Sequence, residues 1–190
     1  MQLPVTVPSH AMVLLDFIGQ YEAPRGFDTV YGNNQVKLPK KVTSMTIGEI
    51  VDAQPSWTKR FGSSACGRYQ FMRNTLQGIC KEVPTLRGDA VFTADLQNRL
   101  GYYLLLRRDY EKFVDGKLSI AGFGLNLAKE WASFPVLVAV KGASRVVTIG
   151  QSYYAGDGKN KALVAPERVE ETLARVLAMA QGAGAKKATP

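Results

Sequence analysis

The spacing of apolar residues near the start of the chain predicts an amphipathic helix over about residues 10 to 22. Ser9 is a suitable N-cap, and Pro24 disfavours helical geometry at the residue before it. Glu22 falls on the apolar stripe, one turn beyond its last member. The stripe has the i, i+3, i+4, i+7 spacing of one buried helix face, and its members are Ala11, Leu14, Leu15 and Ile18.

The position of Glu22 makes it a candidate catalytic acid. A carboxyl group there is partly withdrawn from water and lies at the negative end of the helix dipole. Both effects favour the protonated form, which a general acid needs near neutral pH. A solvated helix-end Glu paired with Arg25 is the other interpretation that this stretch leaves open.

Apolar periodicity predicts five further helices. The first is Met45–Gln54, where Thr46 and Glu49 have the spacing of a capping box. Two hairpins are also predicted, a small one around 27–31 and one of β-branched residues over 136–150. The other four helices are expected from the small-residue turn at 63–72 to about 83, over 93–114, over 119–134, and from Pro166 onwards.

These elements predict an α+β protein that is mostly helical, with small β-hairpins. A chain of 190 residues with 46% apolar content can bury a full core, so we expect a single domain over 1–182 and a disordered tail over 183–190. If the segment between Cys66 and Cys80 is helical, their Cα atoms lie about 20 Å apart. That distance is too long for a disulfide, which predicts two free thiols.

Charge narrows the classes of partner. The net charge of +8 favours polyanions such as nucleic acid, anionic lipid or the carboxylate-bearing bacterial cell wall. The basic residues are scattered, and no nucleic-acid motif is found, so a nucleic-acid-binding protein is a distant alternative. No apolar run approaches the roughly 20 residues that span a bilayer, and no membrane partner is expected. With one His and two Cys, no metal site or cofactor is expected either.

Three loop stretches combine Gly with polar or aromatic residues, a mixture suited to binding sugars. They are 22–33, 65–72 and 151–158. Each stretch by itself is weak evidence for sugar binding, because Tyr153 and Tyr154 could be ordinary packing residues and Gly67 could be a turn glycine. Several such motifs in a particular order along the chain are stronger evidence for a protein family than any one of them.

Four segments together resemble the phage lambda-type endolysins and related phage muramidases of the lysozyme superfamily. Within them, GRYQ is similar to the Gly-x-x-Gln element that lytic transglycosylases use to line the cleft. SYYAG at 152–156 is similar to their Tyr-x-Ala-Gly element. The chain departs from the family in a longer segment before GRYQ and in the hairpin at 136–150. The segments, in the family's order, are LLDFIGQYE (14–22), GFDTVYGN (26–33), SACGRYQFM (64–72) and EWASFP (130–135).

The resemblance implies a lysozyme-like fold with a cleft between two lobes, acting as a monomer on the glycan strands of peptidoglycan. The bond cut would be the β-1,4 link from N-acetylmuramic acid to N-acetylglucosamine. By position, Glu22 matches the catalytic acid of the family. The matching substrate-binding residues are Tyr31, Tyr69, Gln70, Tyr153 and Tyr154.

The second carboxylate of a glycosidase is left open. Asp28 is the nearest candidate, and a solvated turn Asp is an equal alternative. Without a second carboxylate, Glu22 could act alone as acid and then base, giving the 1,6-anhydro product of a lytic transglycosylase, which the resemblance favours slightly. A non-catalytic wall-binding virion protein is the main rival.

The start of the chain, MQLPVTVPSH, lacks the basic and apolar regions of a signal peptide. An endolysin made in the host cytoplasm and released to the periplasm fits this, and so does an enzyme carried in a phage particle.

Overall fold

The computed structural model describes residues 2–187, and the side chains of residues 2–183. Over this range the protein is mostly helical, with a small two-stranded antiparallel sheet, and so belongs broadly to the predicted α+β class. Strand β1 is Val140–Lys141 and strand β2 is Val146–Val147. The α-helices are α1 Ser9–Glu22, α2 Ile47–Phe61, α3 Arg73–Glu82, α4 Ala94–Arg107, α5 Tyr110–Val114, α6 Ile120–Glu130 and α7 Pro166–Lys187.

The chain forms two compact units. The first comprises the residues up to Val7 together with Ile18–Tyr103, and the second comprises Pro8–Phe17 and the residues from Leu104 on. Among the helices of residues 2–187, none has both the length and the apolar content that crossing a bilayer requires.

The predicted opening helix is confirmed. It begins at Ser9 and ends at Glu22, and Met12 N donates to Pro8 O over 2.9 Å, so Pro8 takes the N-cap position that was predicted for Ser9. All four residues of the predicted stripe are fully buried, because their spacing puts them on one face. Both cysteines are free thiols, as predicted, and burial raises the pKa of Cys66 and Cys80.

Helix α2 is longer than predicted and continues through Pro55 to Phe61. The predicted capping box is present, with Thr46 and Glu49 each accepting from the other's backbone N–H. Proline has no N–H, so Pro55 leaves the carbonyl of Val51 without its intrahelical donor. Arg73 Nε donates to that oxygen over 3.0 Å. A side chain from α3 therefore replaces the hydrogen bond that Pro55 removes.

Replacing Arg73 with Met should lower the free energy of unfolding by about 1 kcal/mol, because the Val51 carbonyl loses its donor. Denaturant unfolding measures this loss. Arg87→Met is the control, since Arg87 only reaches Asp89 across 3.4 Å at the surface. Equal stabilities of the two variants would contradict the role given to Arg73.

Two predicted elements are wrong in their geometry. The hairpin around 27–31 does not form, because Val30 pairs with Cys66 instead of with a neighbouring strand, and Tyr31–Lys37 forms 3-10 turns in which Gly32 and Asn33 take the left-handed φ values of 67° and 60°. The long helix over 93–114 is broken between α4 and α5, where Asp109 has φ 64°. In the second case the left-handed Asp109 ends the helical path.

The hairpin over 136–150 is confirmed, although its ladder is limited to β1 and β2. Helix α6, predicted over 119–134, runs over Ile120–Glu130 and so ends before the predicted position, and Ser119 Oγ caps it by accepting from Gly122 N over 3.1 Å. Helix α7 starts at Pro166 as predicted and runs to Lys187, so residues 183–187 are helical where a disordered tail was predicted. Residues 188–190 lie outside the described residues.

Candidate functional site

Two of the four motif segments are hydrogen-bonded to each other in the first unit. Val30 forms an antiparallel bridge with Cys66. Tyr31 N donates to Ala65 O over 3.0 Å, and Gly67 N donates to Thr29 O over 2.8 Å. GFDTVYGN and SACGRYQFM therefore form one structural unit, although about 30 residues separate them in the chain.

A buried glutamine on α4 holds this pair of segments together. Gln97 Oε1 accepts from Arg68 N over 2.8 Å, while its Nε2 donates to Phe27 O over 3.1 Å and to Phe92 O over 3.0 Å. Gly67 has φ 75°, and a Cβ there would lie 2.5 Å from Gln97 Oε1, so only glycine fits. Gln97 was not predicted from the sequence. The sequence feature that could have identified it is a polar residue on the predicted buried face of the helix, next to Leu96.

Glu22 is the last residue of α1 and is half-buried. The helical hydrogen bonds continue to Ala23, whose N donates to Gly19 O over 3.1 Å. The chain then turns, with Gly26 N donating to Ala23 O over 2.8 Å. The carboxyl group is therefore carried by a regular helix end at a tight turn. Its role as catalytic acid stays a prediction.

Arg68 of the GRYQ run lies against α1 on the side that carries Glu22. A Cβ on Gly19 would lie 2.6 Å from Arg68 Nε, so the arginine occupies the space that a larger residue would fill. Arg68 Cζ also lies 5.1 Å from the centroid of the Phe27 ring. Residues 19 and 22 are neighbours on the helix surface, and helical side chains lean toward the N-terminus. Glu22 therefore lies within one helical turn of Gly19, the residue against which Arg68 packs.

Arg68 is a second residue that the sequence analysis missed. Its signal was the glycine at position 19, which lies inside a helix although glycine disfavours helices. A helical glycine is retained where another group approaches the backbone closely, and here that group is a guanidinium.

Asp28 and Tyr31 follow Glu22 in the same unit. Asp28 Oδ1 accepts from Thr43 N over 2.8 Å, so one carboxylate oxygen links two loops and has a structural role. The Tyr31 side chain is 47% exposed, while its backbone N–H is held by Ala65. Tyr31 thus presents an accessible ring on an ordered backbone, and its predicted role in sugar binding stays a prediction.

Tyr69 and Gln70 lie in different environments. Tyr69 is 1% exposed, its hydroxyl donates to Asn98 Oδ1 over 2.6 Å, and its ring meets Phe71 edge-on. A buried ring cannot stack on a sugar, so we do not retain Tyr69 as a substrate contact. Gln70 is half-buried, with φ 50°, and its Nε2 donates to Gly67 O over 2.9 Å. Gln70 remains a predicted contact.

Tyr153 and Tyr154 lie in the second unit, with their rings edge to face. Tyr154 donates its hydroxyl proton to Lys129 O over 2.6 Å, and burial raises its pKa. The packing interpretation therefore accounts for Tyr154. Tyr153 is half-buried, with Lys129 Nζ 5.6 Å from its ring centroid, and its carbonyl accepts from Ala143 N over 2.9 Å. Tyr153 remains the predicted sugar contact of this loop.

A cavity of about 470 Å³ lies elsewhere in the first unit, where Leu3, Leu86 and Arg99 contribute to its lining. Its lining includes none of the predicted site residues, so it is distinct from the predicted sugar site. Among residues 2–187, no three His, Cys, Asp or Glu side chains are grouped so that they could hold a metal ion.

The resemblance to the phage muramidases rests on the sequence motifs alone. No family model, curated protein or solved structure matches this chain.

Proposed function

We propose that this chain is a peptidoglycan-degrading muramidase that cleaves the β-1,4 bond between N-acetylmuramic acid and N-acetylglucosamine. The lysozyme-like fold, with a cleft between two lobes, is part of this proposal. The observation that carries it is the packing of SACGRYQFM both on GFDTVYGN and, through Arg68, on the helix turn before Glu22. SACGRYQFM thus contacts two other motifs of the family's set within the first unit.

In the proposed reaction Glu22 first acts as general acid. It gives its proton to the glycosidic oxygen as the bond to the muramic acid breaks and positive charge develops at the sugar carbon. The carboxylate left behind then takes the proton of the muramic acid 6-hydroxyl, whose oxygen bonds to that carbon. The product is a 1,6-anhydro end, Glu22 is protonated again, and no water, metal or cofactor is consumed.

The anhydro route is favoured over hydrolysis by the environment of Asp28. Hydrolysis with retention uses a second carboxylate as nucleophile, and hydrolysis with inversion uses one as base. Asp28 is half-buried and one of its oxygens accepts from Thr43 N, so it already has a structural role in joining two loops. This leaves Glu22 as the group proposed to serve both steps.

Digestion of purified peptidoglycan with this protein should release muropeptides that carry 1,6-anhydro ends. Such ends are lighter than reducing ends by one water, which mass spectrometry resolves. Borohydride treatment is the control, because it reduces only the sugars with a free reducing end. Reducing ends alone would contradict the transglycosylase route and return Asp28 to the position of second carboxylate.

A further inference from the structure

The cavity of about 470 Å³ in the first unit combines an apolar lining with one arginine and one aspartate. Its volume is typical of a site for a small ligand. We propose that it binds the peptide branches of the bacterial cell wall, which end in small aliphatic residues and a free carboxylate. The choice of a wall peptide rests on the proposed muramidase function, and the chemistry of the cavity selects a short zwitterionic peptide.

The apolar part of the lining is aliphatic. Leu86 and Leu96 are buried, and Val91 is exposed. Leu3 and Ala90 complete this part of the lining. The residues that line the cavity in the described part of the chain include no aromatic ring, so a sugar would find no flat surface on which to stack. Small methyl groups, in contrast, can be buried against these side chains.

Arg99 carries the positive charge of the cavity and is held in one orientation. Its Nε donates to Pro4 O over 2.7 Å, and its side chain is 27% exposed. Among the described residues no other group accepts a hydrogen bond from Arg99, so its terminal nitrogens can donate to a ligand. A guanidinium binds a carboxylate through two parallel N–H groups. A carboxylate in the cavity therefore meets a partner that is oriented before it binds.

Asp95 supplies the opposite charge. Its Oδ2 lies 3.8 Å from Arg99 Nη1, which is too long for a hydrogen bond, and its side chain is 80% exposed. A ligand ammonium group can therefore approach Asp95 from solvent while a carboxylate binds Arg99. One positive and one negative group are complementary to a zwitterion and give no advantage to a polyanion such as nucleic acid.

Wall peptides carry the three groups that this lining selects. They end in alanine with a free carboxylate, and lysine or diaminopimelate before the alanine carries an ammonium group on a long side chain. The methyl groups suit the aliphatic lining, the carboxylate suits Arg99, and the ammonium group suits Asp95.

The cavity adjoins the helix turn that carries Gln97. Leu96 precedes Gln97 on α4, and Val91 precedes Phe92, whose carbonyl accepts from Gln97 Nε2 over 3.0 Å. Gln97 also bonds to the two motif loops. A wall peptide in the cavity would thus be held by the same helix that supports those loops.

Isothermal titration calorimetry of the full chain with acetyl-lysyl-D-alanyl-D-alanine tests the proposal. The tripeptide should bind, and amidation of its terminal carboxylate should weaken binding at least about tenfold, because the contact with Arg99 is lost. Arg99→Gln should weaken binding of the free acid to the same extent. Ala90→Leu, which narrows the cavity and leaves Arg99 in place, should also weaken it.

Acetylation of the lysine side chain in the tripeptide tests the role of Asp95. It should weaken binding to the wild type about threefold, since an exposed ion pair contributes little. It should make no difference to Asp95→Asn, which has no charge for the ammonium group to meet. An equal loss in both proteins would remove Asp95 from the proposed site.

Arg87→Gln is the matched control, because it removes the same charge from an exposed arginine that does not line the cavity. It should bind the tripeptide as the wild type does. No binding by the wild type would overturn the proposal, and so would equal binding of the acid and the amide, or full affinity in Arg99→Gln. The tripeptide contains no glycosidic bond, so wall lysis without peptide binding would contradict this proposal alone. Peptide binding without lysis would contradict only the muramidase activity.

Discussion

Replacing Glu22 with Gln is expected to abolish cell-wall lysis and leave the fold intact. The glutamine side chain has nearly the shape of the native one and can still form hydrogen bonds at the half-buried end of α1, but it has no proton to give to the glycosidic oxygen. General acid and base catalysis contributes about 100- to 10,000-fold to a rate, and Glu22 is proposed to serve as both. The rate at which purified walls are cleared, measured by turbidity, should therefore fall by a factor of at least about 100.

Glu170→Gln is the control for this experiment. It removes one negative charge from an exposed position on α7, and so changes the net charge by the same amount. It should clear walls at the wild-type rate. If the Glu22 variant also did so, the acid would be wrongly assigned. If neither Glu22→Gln nor the wild type cleared walls, but both bound them, the protein would be the non-catalytic wall-binding alternative.

Replacing Gly19 with Ala should slow wall lysis by about 10- to 100-fold, because it displaces Arg68 from the helix turn before Glu22. The new Cβ would lie 2.6 Å from Arg68 Nε and 2.8 Å from Arg68 Cζ, so the guanidinium has to move. A displacement of about 1 Å near a reacting group can cost about 100-fold in rate. Lysis per mole of folded protein measures this effect.

Gly78→Ala is the matched control. Gly78 also lies inside a helix, but a Cβ there meets no atom within 4 Å. Alanine should therefore stabilise α3 by up to about 1 kcal/mol and leave lysis unchanged. Arg68→Met removes the guanidinium without a clash and should slow lysis as Gly19→Ala does. If both variants at this contact folded and cleared walls normally, Arg68 would have no part in the site.

Local patterns predicted the helices well where one face is apolar. The stripe of α1 and the capping box of Thr46 and Glu49 depend only on residues within one or two turns, so they can be predicted from the sequence. The errors fell where distant residues intervene. Helix α2 passes through Pro55 because Arg73 supplies the missing donor from another helix.

The predicted site residues show the same difference between features set by neighbours along the chain and features set by distant residues. The motifs predicted Glu22 and Gln70 from their order along the chain, and both roles stay predictions. Nothing local distinguished Tyr31 from Tyr69, since both are tyrosines within glycine-containing loops. The structure buries Tyr69 against Asn98 and exposes Tyr31. The burial of a loop residue depends on which segments pack against it, and the sequence of the loop does not predict those segments.

The sequence by itself determined the helical faces, the capping box at Thr46, the free cysteines and the order of the motifs, because each depends on neighbours along the chain. Only the tertiary structure decided that Gln97 joins the two motif loops and that Arg68 packs on Gly19. Those contacts join residues about 30 to 70 positions apart. They depend on directional hydrogen bonds and close packing between separate elements, which no local periodicity encodes.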